Sequence, residues 1–246
     1  LILCAEGLCF YVLVKYAKGF QQVSLPPKTG TNKAYFCPMF YLVKTPWWLK
    51  KIYPSLSWGA PADGKALYLT FDDGPHETAT PFVLNQLKQY NAKATFFCIG
   101  KNVETHPGLY AQVLEDGHST GNHTHNHLNG WKKPTNLYIE NIQKASEHIK
   151  SRLFRPPYGR ITQQQAKLLQ QPQNGGFSIV MWDVLSGDFD TRLAPKGCLQ
   201  NVLGSVVPGS IIVFHDSAKA FERMRYVLPA VLDHFSNQGY TFKTLG

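Results

Sequence analysis

The sequence predicts an α/β protein: a βα barrel with parallel strands inside and helices outside. Three observations predict it. From Leu67 onward, apolar strand-like runs alternate with helical patterns, as in a parallel sheet with crossover helices. Six residues able to carry chemistry, Asp72, Asp73, His123, Arg155, Asp188 and His215, fall just after such runs. In a closed barrel that puts them on the C-terminal rim, where barrel enzymes keep their sites. The 246 residues also suffice for one such domain with a substantial core.

Strands are expected at 66–71, near 118–121, and at 94–99, 153–155, 177–182, 210–214 and 240–244. Pro81, in a first-turn position after Thr80, opens a helix toward Tyr90. Pro107 opens another, which Gly117 ends. Longer helices are expected over 135–150 and 222–238, with Gly239 as the cap of the latter and Pro229 as a kink within it.

The most informative stretch is Thr70-Phe71-Asp72-Asp73-Gly74-Pro75. An apolar strand runs into two adjacent carboxylates, whose like charges repel unless their roles are separated. A metal ion separates them, with one carboxylate as ligand and the other as base. Further on, the segment from His118 to His127 packs four of the nine histidines into ten positions. His123 and His127, four apart, are expected on one helical turn with both imidazoles facing the same way. Two imidazoles and one carboxylate suit catalytic zinc and iron(II) alike, so the donors leave the metal open.

Three further pieces follow. Arg155-Pro156-Pro157-Tyr158-Gly159 is a rigid loop that can fix Arg155 and the Tyr158 N–H. The run Phe177–Trp182 leads to Asp183 and then to Asp188-Phe189-Asp190. The strand Ser210–Phe214 ends in His215-Asp216, which makes His215 a candidate acid or base.

Taken in order, these segments resemble the five motifs of the NodB-homology polysaccharide deacetylases, carbohydrate esterase family 4. The first is Thr70–Pro75, and the second, His-Thr-x-x-His, is His123–His127. Arg155–Gly159 is the third, Trp182–Phe189 the fourth, and Val213-Phe214-His215 the fifth. The resemblance spans roughly Leu67 to Leu245. Two departures stand out. The family's Asp-Trp is Asp188-Phe189 here, with Leu185 at the upstream acidic position, and the family's Leu is Val213. Both keep an apolar wall and bear on substrate fit more than on chemistry.

The resemblance implies a deformed, TIM-barrel-like fold of about seven parallel strands and hydrolysis of N-acetyl groups on the amino sugars of a glycan. Peptidoglycan, chitin-type oligomers and lipid-linked saccharides all remain open. It implies one divalent metal on Asp73, His123 and His127, with Zn2+ first and Co2+, Ni2+ or Fe2+ as alternatives. Asp72 is then the general base, oriented by Arg155, and His215 the acid, kept protonated by Asp188. The Tyr158 N–H would hold the oxyanion, and Trp182 and Val213 would line the acetyl-methyl pocket. Two other readings stay open: a metal amidase acting on a non-sugar or lipid-linked amide, and a non-catalytic glycan-binding homologue.

Composition adds bounds. The formal net charge is +9, of which the segment before Met39 carries +3. A basic surface attracts anionic glycans or membrane faces, although an ordinary soluble basic protein has the same balance. Nucleic acid is a poor guess as a partner, since no basic run interleaves with aromatics near the motifs. Cys4, Cys9, Cys37, Cys98 and Cys198 show no paired spacing and read as free thiols, which favours a reducing compartment. Leu8–Val14 is apolar but too short to span a bilayer, and it lacks the basic start of a secretion signal. Cytoplasmic and envelope-associated locations both remain open.

Residues 1–38 are read as an extension upstream of a true start at Met39, where the composition shifts. Residues 39–65 form a basic, aromatic lead-in, and 66–246 the main domain. Within the lead-in, Trp47-Trp48-Leu49-Lys50-Lys51 is expected to pack along the barrel wall, with membrane-interface docking as the alternative.

Overall fold

Strand β1, Ala66–Asp72, is buried at all seven positions, as a strand covered on both faces must be. It sits inside the sheet of the computed structural model, which describes residues 41–246. The expectations for residues 1–38, Cys4, Cys9, Cys37 and a start at Met39 lie outside the described residues.

The other strands are β2 Ala94–Cys98, β3 Ser119–Asn122, β4 Leu153–Phe154, β5 Ser178–Ile179, β6 Val184–Leu185, β7 Ile211–His215 and β8 Thr241–Phe242. The sheet runs β5-β4-β3-β2-β1-β7-β6, and β8 pairs with the start of β1. Every strand pair is parallel. This seven-stranded path with helices around it is the deformed barrel expected from the sequence. The run read as one strand over 177–182 is instead β5, a bend through Val180–Asp183, and then β6.

The barrel is deformed because β5 and β6 end the path on either side of a gap. The lead-in occupies that side. Lys44 bridges Val184 and Ser57 bridges Val180, with Thr45 N–H donating to Asp183 O (2.8 Å) and Met181 N–H to Ser57 O (2.7 Å). Sheet-edge groups that would stay unpaired are thereby satisfied.

Helices surround the sheet: α1 Trp47–Ile52, α2 Ala79–Gln89, α3 Gly100–Thr105, α4 Pro107–Glu115, α5 Thr135–Ser146, α6 Gln163–Leu169, α7 Pro195–Leu203 and α8 Phe221–Asn237. Pro81 lies in the first turn of α2 and Pro107 is the first residue of α4, as the chain punctuation predicts. Gly117 and Gly239 take φ of 75° and 77° just beyond α4 and α8, a region open to glycine without steric cost. In α1 only Leu49 is buried. Of the stretch expected along the barrel wall, Leu49 is buried and Lys50 pairs with Asp183, whereas Trp47 and Trp48 are 69% and 37% exposed. None of the described helices is long and apolar enough to cross a membrane.

Strand alternation sorts the side chains. Leu67, Leu69 and Phe71 face the helical layer, together with residues of α2 and α8. Tyr68, Thr70 and Asp72 therefore point to the barrel interior. Phe71 stacks between Phe96 and Phe214, at ring-centroid distances of 5.1 and 5.9 Å, and so ties β1 to both neighbours. Phe71→Ala is expected to lower stability by about 3–5 kcal/mol, read as a fall in the urea midpoint at unchanged slope.

Candidate active site

The strand ends bring the motif residues to one rim. Asp72, the last residue of β1, is level with Phe97 on β2 and His215 on β7. Asp73 follows with φ 81°, before the cis Gly74-Pro75 bond. That left-handed turn sends the two carboxylates different ways, and it costs of order 1–3 kcal/mol that the surrounding structure must supply.

Asp72 turns inward to Arg155. The guanidinium is fully buried. Nη1 donates to Asp72 Oδ1 and to Thr70 Oγ1, both at 2.7 Å. Nε and Nη2 donate to the Val180 and Met181 carbonyls at 3.2 and 2.9 Å. The Phe97 ring lies 4.0 Å beneath.

Asp73 turns toward the histidines. Its Oδ1 lies 3.2 Å from His127 Nε2 and 3.7 Å from His123 Nε2. This oxygen is buried yet has no hydrogen-bond partner. Burial alone would raise the Asp73 pKa, but His127 and the charge on His215 outweigh it and hold the carboxyl well below its usual range. His123 Nδ1 lies 2.8 Å from the Arg155 carbonyl. A carbonyl only accepts, so Nδ1 carries the proton and Nε2 presents its lone pair toward Asp73. Burial pushes the His123 pKa down to about 4, which keeps the ring neutral. A buried oxygen without a hydrogen bond, facing the lone pair of His123 Nε2 and the nearby Nε2 of His127, fits a divalent cation. Asp73, His123 and His127 can hold one.

The two histidines do not share a helical turn, contrary to expectation. His123 follows β3, and the chain then makes a loop in which Thr124 and His127 take φ of 63° and 54°. Thr124 N–H donates to Asn122 Oδ1, and Leu128 N–H to Thr124 Oγ1, closing the loop on itself. The rings meet at 5.1 Å because of these turns.

On the other side of Asp72, His215 is held twice by Asp188. Its Nδ1 lies 2.8 Å from Asp188 Oδ1, and its backbone N–H donates to Oδ2 at 2.7 Å. Burial would lower the His215 pKa, but the charge and hydrogen bond of Asp188, with Asp73 and Asp72, push it up to about 9. Phe189 packs its ring edge-on to His215, at 5.3 Å.

Tyr158 takes φ 60° in the turn after Arg155, with its ring 4.6 Å from that of His127. The next residue, Gly159, lies so close to Trp182 that a Cβ there would fall 2.6 Å from the indole. Trp182 thus backs the Tyr158 turn. Val213 is buried, level with Thr70 and Leu185 on neighbouring strands. It alternates with the outward Phe214 and so lies beneath His215 on the inner face.

Asp216 has a role that no sequence pattern marks. Its backbone N–H donates to Asp72 O (3.1 Å), while its carboxylate accepts from Gly74 N–H (3.0 Å) and Thr80 Oγ1 (2.6 Å). It pins the turn that carries Asp73. Only its place beside His215 at a strand end could have signalled this. Burial, helped by the Asp73 charge, raises its pKa to about 8.

Comparison with known proteins points to one family. The polysaccharide deacetylase family model matches residues 59–174, a span that includes Asp72, Asp73, His123, His127 and Arg155. A peptidoglycan-N-acetylglucosamine deacetylase of Bacillus cereus is 34% identical over 196 residues, covering 77% of this chain and 91% of its own length. A chitooligosaccharide deacetylase of Azorhizobium caulinodans is also 34% identical, over 68% of this chain and 88% of its own. A crystal structure of a peptidoglycan N-acetylglucosamine deacetylase superposes with TM-score 0.74 at 33% identity, over 82% of this chain and 95% of that one. The chain belongs to the polysaccharide deacetylase family.

Removing one half of a buried ion pair leaves the other charge uncompensated. Arg155→Met is therefore expected to destabilise the protein by about 3–5 kcal/mol, with part of the loss recovered when Asp72→Asn is added. Denaturant titration of the two variants reads this, and wild-type stability in Arg155→Met would contradict it.

Proposed function

We propose that the protein hydrolyses the N-acetyl group of N-acetylglucosamine residues in a glycan, releasing acetate and leaving a free amine. What carries this reading is one arrangement. A donor set of Asp73, His123 and His127 is flanked by a carboxylate held by Arg155 and an imidazole held by Asp188. An amide is a poor electrophile, so it needs carbonyl polarisation, an activated water and protonation of the leaving nitrogen. The names of the relatives from Bacillus cereus and Azorhizobium caulinodans point to the same chemistry on peptidoglycan and chitin-type sugars.

A divalent cation on the three donors, Zn2+ in our reading, supplies Lewis acidity for the acetyl oxygen and lowers the pKa of a water. Asp72 takes the proton from the attacking water. Arg155 occupies its Oδ1 and fixes the carboxylate, leaving Oδ2 to receive the proton. The Tyr158 N–H donates to the developing oxyanion, and such a donor contributes on the order of 3 kcal/mol. His215 delivers a proton to the amine nitrogen from Nε2, since Nδ1 is committed to Asp188. Trp182 and Val213 bound the space for the acetyl methyl.

Acetate release from chitin oligomers and peptidoglycan fragments, with zinc supplied, tests the function. Turnover of acetylated sugars is expected, and its absence on the whole panel with metal bound would overturn the reading. Asp72→Asn is expected to keep the metal and lose about 10²–10⁴-fold in turnover.

The pH profile tests His215. Its protonated form is the active acid, so activity is expected to be sustained at neutral pH and to fall as pH rises through about 9. Asp188→Asn removes the raising charge, so the alkaline limb should move to lower pH. An unmoved limb would remove His215 from the acid role.

A further inference from the structure

A second cluster of donors lies beside the first. Glu104 near the end of α3, His125 in the loop after β3, and His148 beyond α5 bring one ligand atom each to within 4.8 Å of one another. His125 is only 3% exposed, and its Nδ1 is buried with no hydrogen-bond partner. Its Nε2 lies 3.8 Å from Glu104 Oε2, too far for a hydrogen bond. The His125 and His148 rings face each other at 6.1 Å with 26° between their planes. A buried ring nitrogen without a hydrogen bond calls for a physical explanation.

The ring is also fixed in place. The His125 N–H donates to Asn141 O and Oδ1, at 3.2 and 3.0 Å, and its carbonyl accepts from Lys101 N–H at 3.1 Å. Gly100 sits under the ring, where a Cβ would come 2.8 Å from Nδ1. Two donors on one tetrahedral ion are about 3.4 Å apart at ordinary bond lengths, so small rotations of the more exposed Glu104 and His148 would complete the set. Lys144, Glu104 and Glu147 all act on His125, with Lys144 the largest of the three.

We propose that Glu104, His125 and His148 form a second divalent-metal site, of the two-nitrogen, one-oxygen class that takes zinc, cobalt or nickel. His125 lies between His123 and His127 in the chain. An ion held there fastens the loop carrying both histidines to α3 and to the end of α5, and so slows loss of the ion from the first site.

The test counts metal. Full-length protein is stripped with a chelator, equilibrated with Zn2+ at buffered micromolar free concentration, desalted and assayed by mass spectrometry of the metal. Two equivalents are expected. His148→Ala and Glu104→Gln should each hold one, while Asp73→Ala should lose the other and keep this one. One equivalent in the wild type, or two in both His148→Ala and Glu104→Gln, would overturn the site. A count that falls with His148→Ala but stays at two with Asp73→Ala would support this site and overturn the first donor set instead. Release of zinc from the first site to a chromogenic chelator should be on the order of 10-fold faster in His148→Ala, the scale on which supporting groups alter metal affinity. An unchanged release rate would overturn the clamp.

Discussion

The Arg155 guanidinium is the contact on which the site depends. It is fully buried, and a buried cation is costly unless it is paired and hydrogen-bonded. Here the acceptors come from separate parts of the fold: Thr70 and Asp72 on β1, and the Val180 and Met181 carbonyls beyond β5. The same residue's carbonyl fixes the tautomer of His123. One side chain and its backbone thus set the orientation of a carboxylate, the path of the chain between β5 and β6, and the donor face of an imidazole. Lys in its place would offer a compact ammonium without the planar fork that reaches these acceptors together.

The adjacent carboxylates, Asp72 and Asp73, differ because their backbones differ. Asp72 ends a regular strand and points inward, as every second residue of β1 does. Asp73 takes a left-handed φ of 81°, so its side chain leaves the strand's alternation and meets the histidine loop. The turn is held from below by Asp216, which accepts from Gly74 N–H and donates its own N–H to Asp72 O. Room for this exists only because position 74 lacks a side chain: a Cβ there would come 2.0 Å from Asp216 Oδ2. Like charges on neighbouring residues are then tolerable, since one faces a guanidinium and the other a set of imidazoles.

What the sequence made legible follows from periodicity. The apolar runs of β1, β2 and β7 are long and buried on both faces, so they stand out, and residues at their ends inherit a place on the rim. The proline and glycine boundaries of α2, α4 and α8 were equally open to reading. Loops were not. The pairing of His123 with His127 looked helical from its spacing, but it arises from left-handed residues at Thr124 and His127 and from side-chain bonds of Asn122 and Thr124. The two-residue strand β6 has no period to detect. Asp216 carries no pattern that distinguishes a structural carboxylate from a solvated one. Trp47 looked like wall material by hydrophobicity, whereas only Leu49 of that helix is buried.

The lead-in also acts on the site, through the segment it grips. Thr45 Oγ1 donates to the Trp182 carbonyl at 2.7 Å, and Lys44 and Lys50 both donate to the buried Asp183 carboxylate. Ser57 accepts from Met181 N–H. Residues 180–183 are thus held by the lead-in on one side and by Arg155 on the other. Trp182, fixed between them, lies against Gly159, and Gly159 leaves no space for a side chain there. The strained turn at Tyr158 consequently rests on a surface that the lead-in keeps in place. A substitution at Thr45 or Lys44 would act on the rim through Trp182 without touching any motif residue, because the gap between β5 and β6 is filled by this segment.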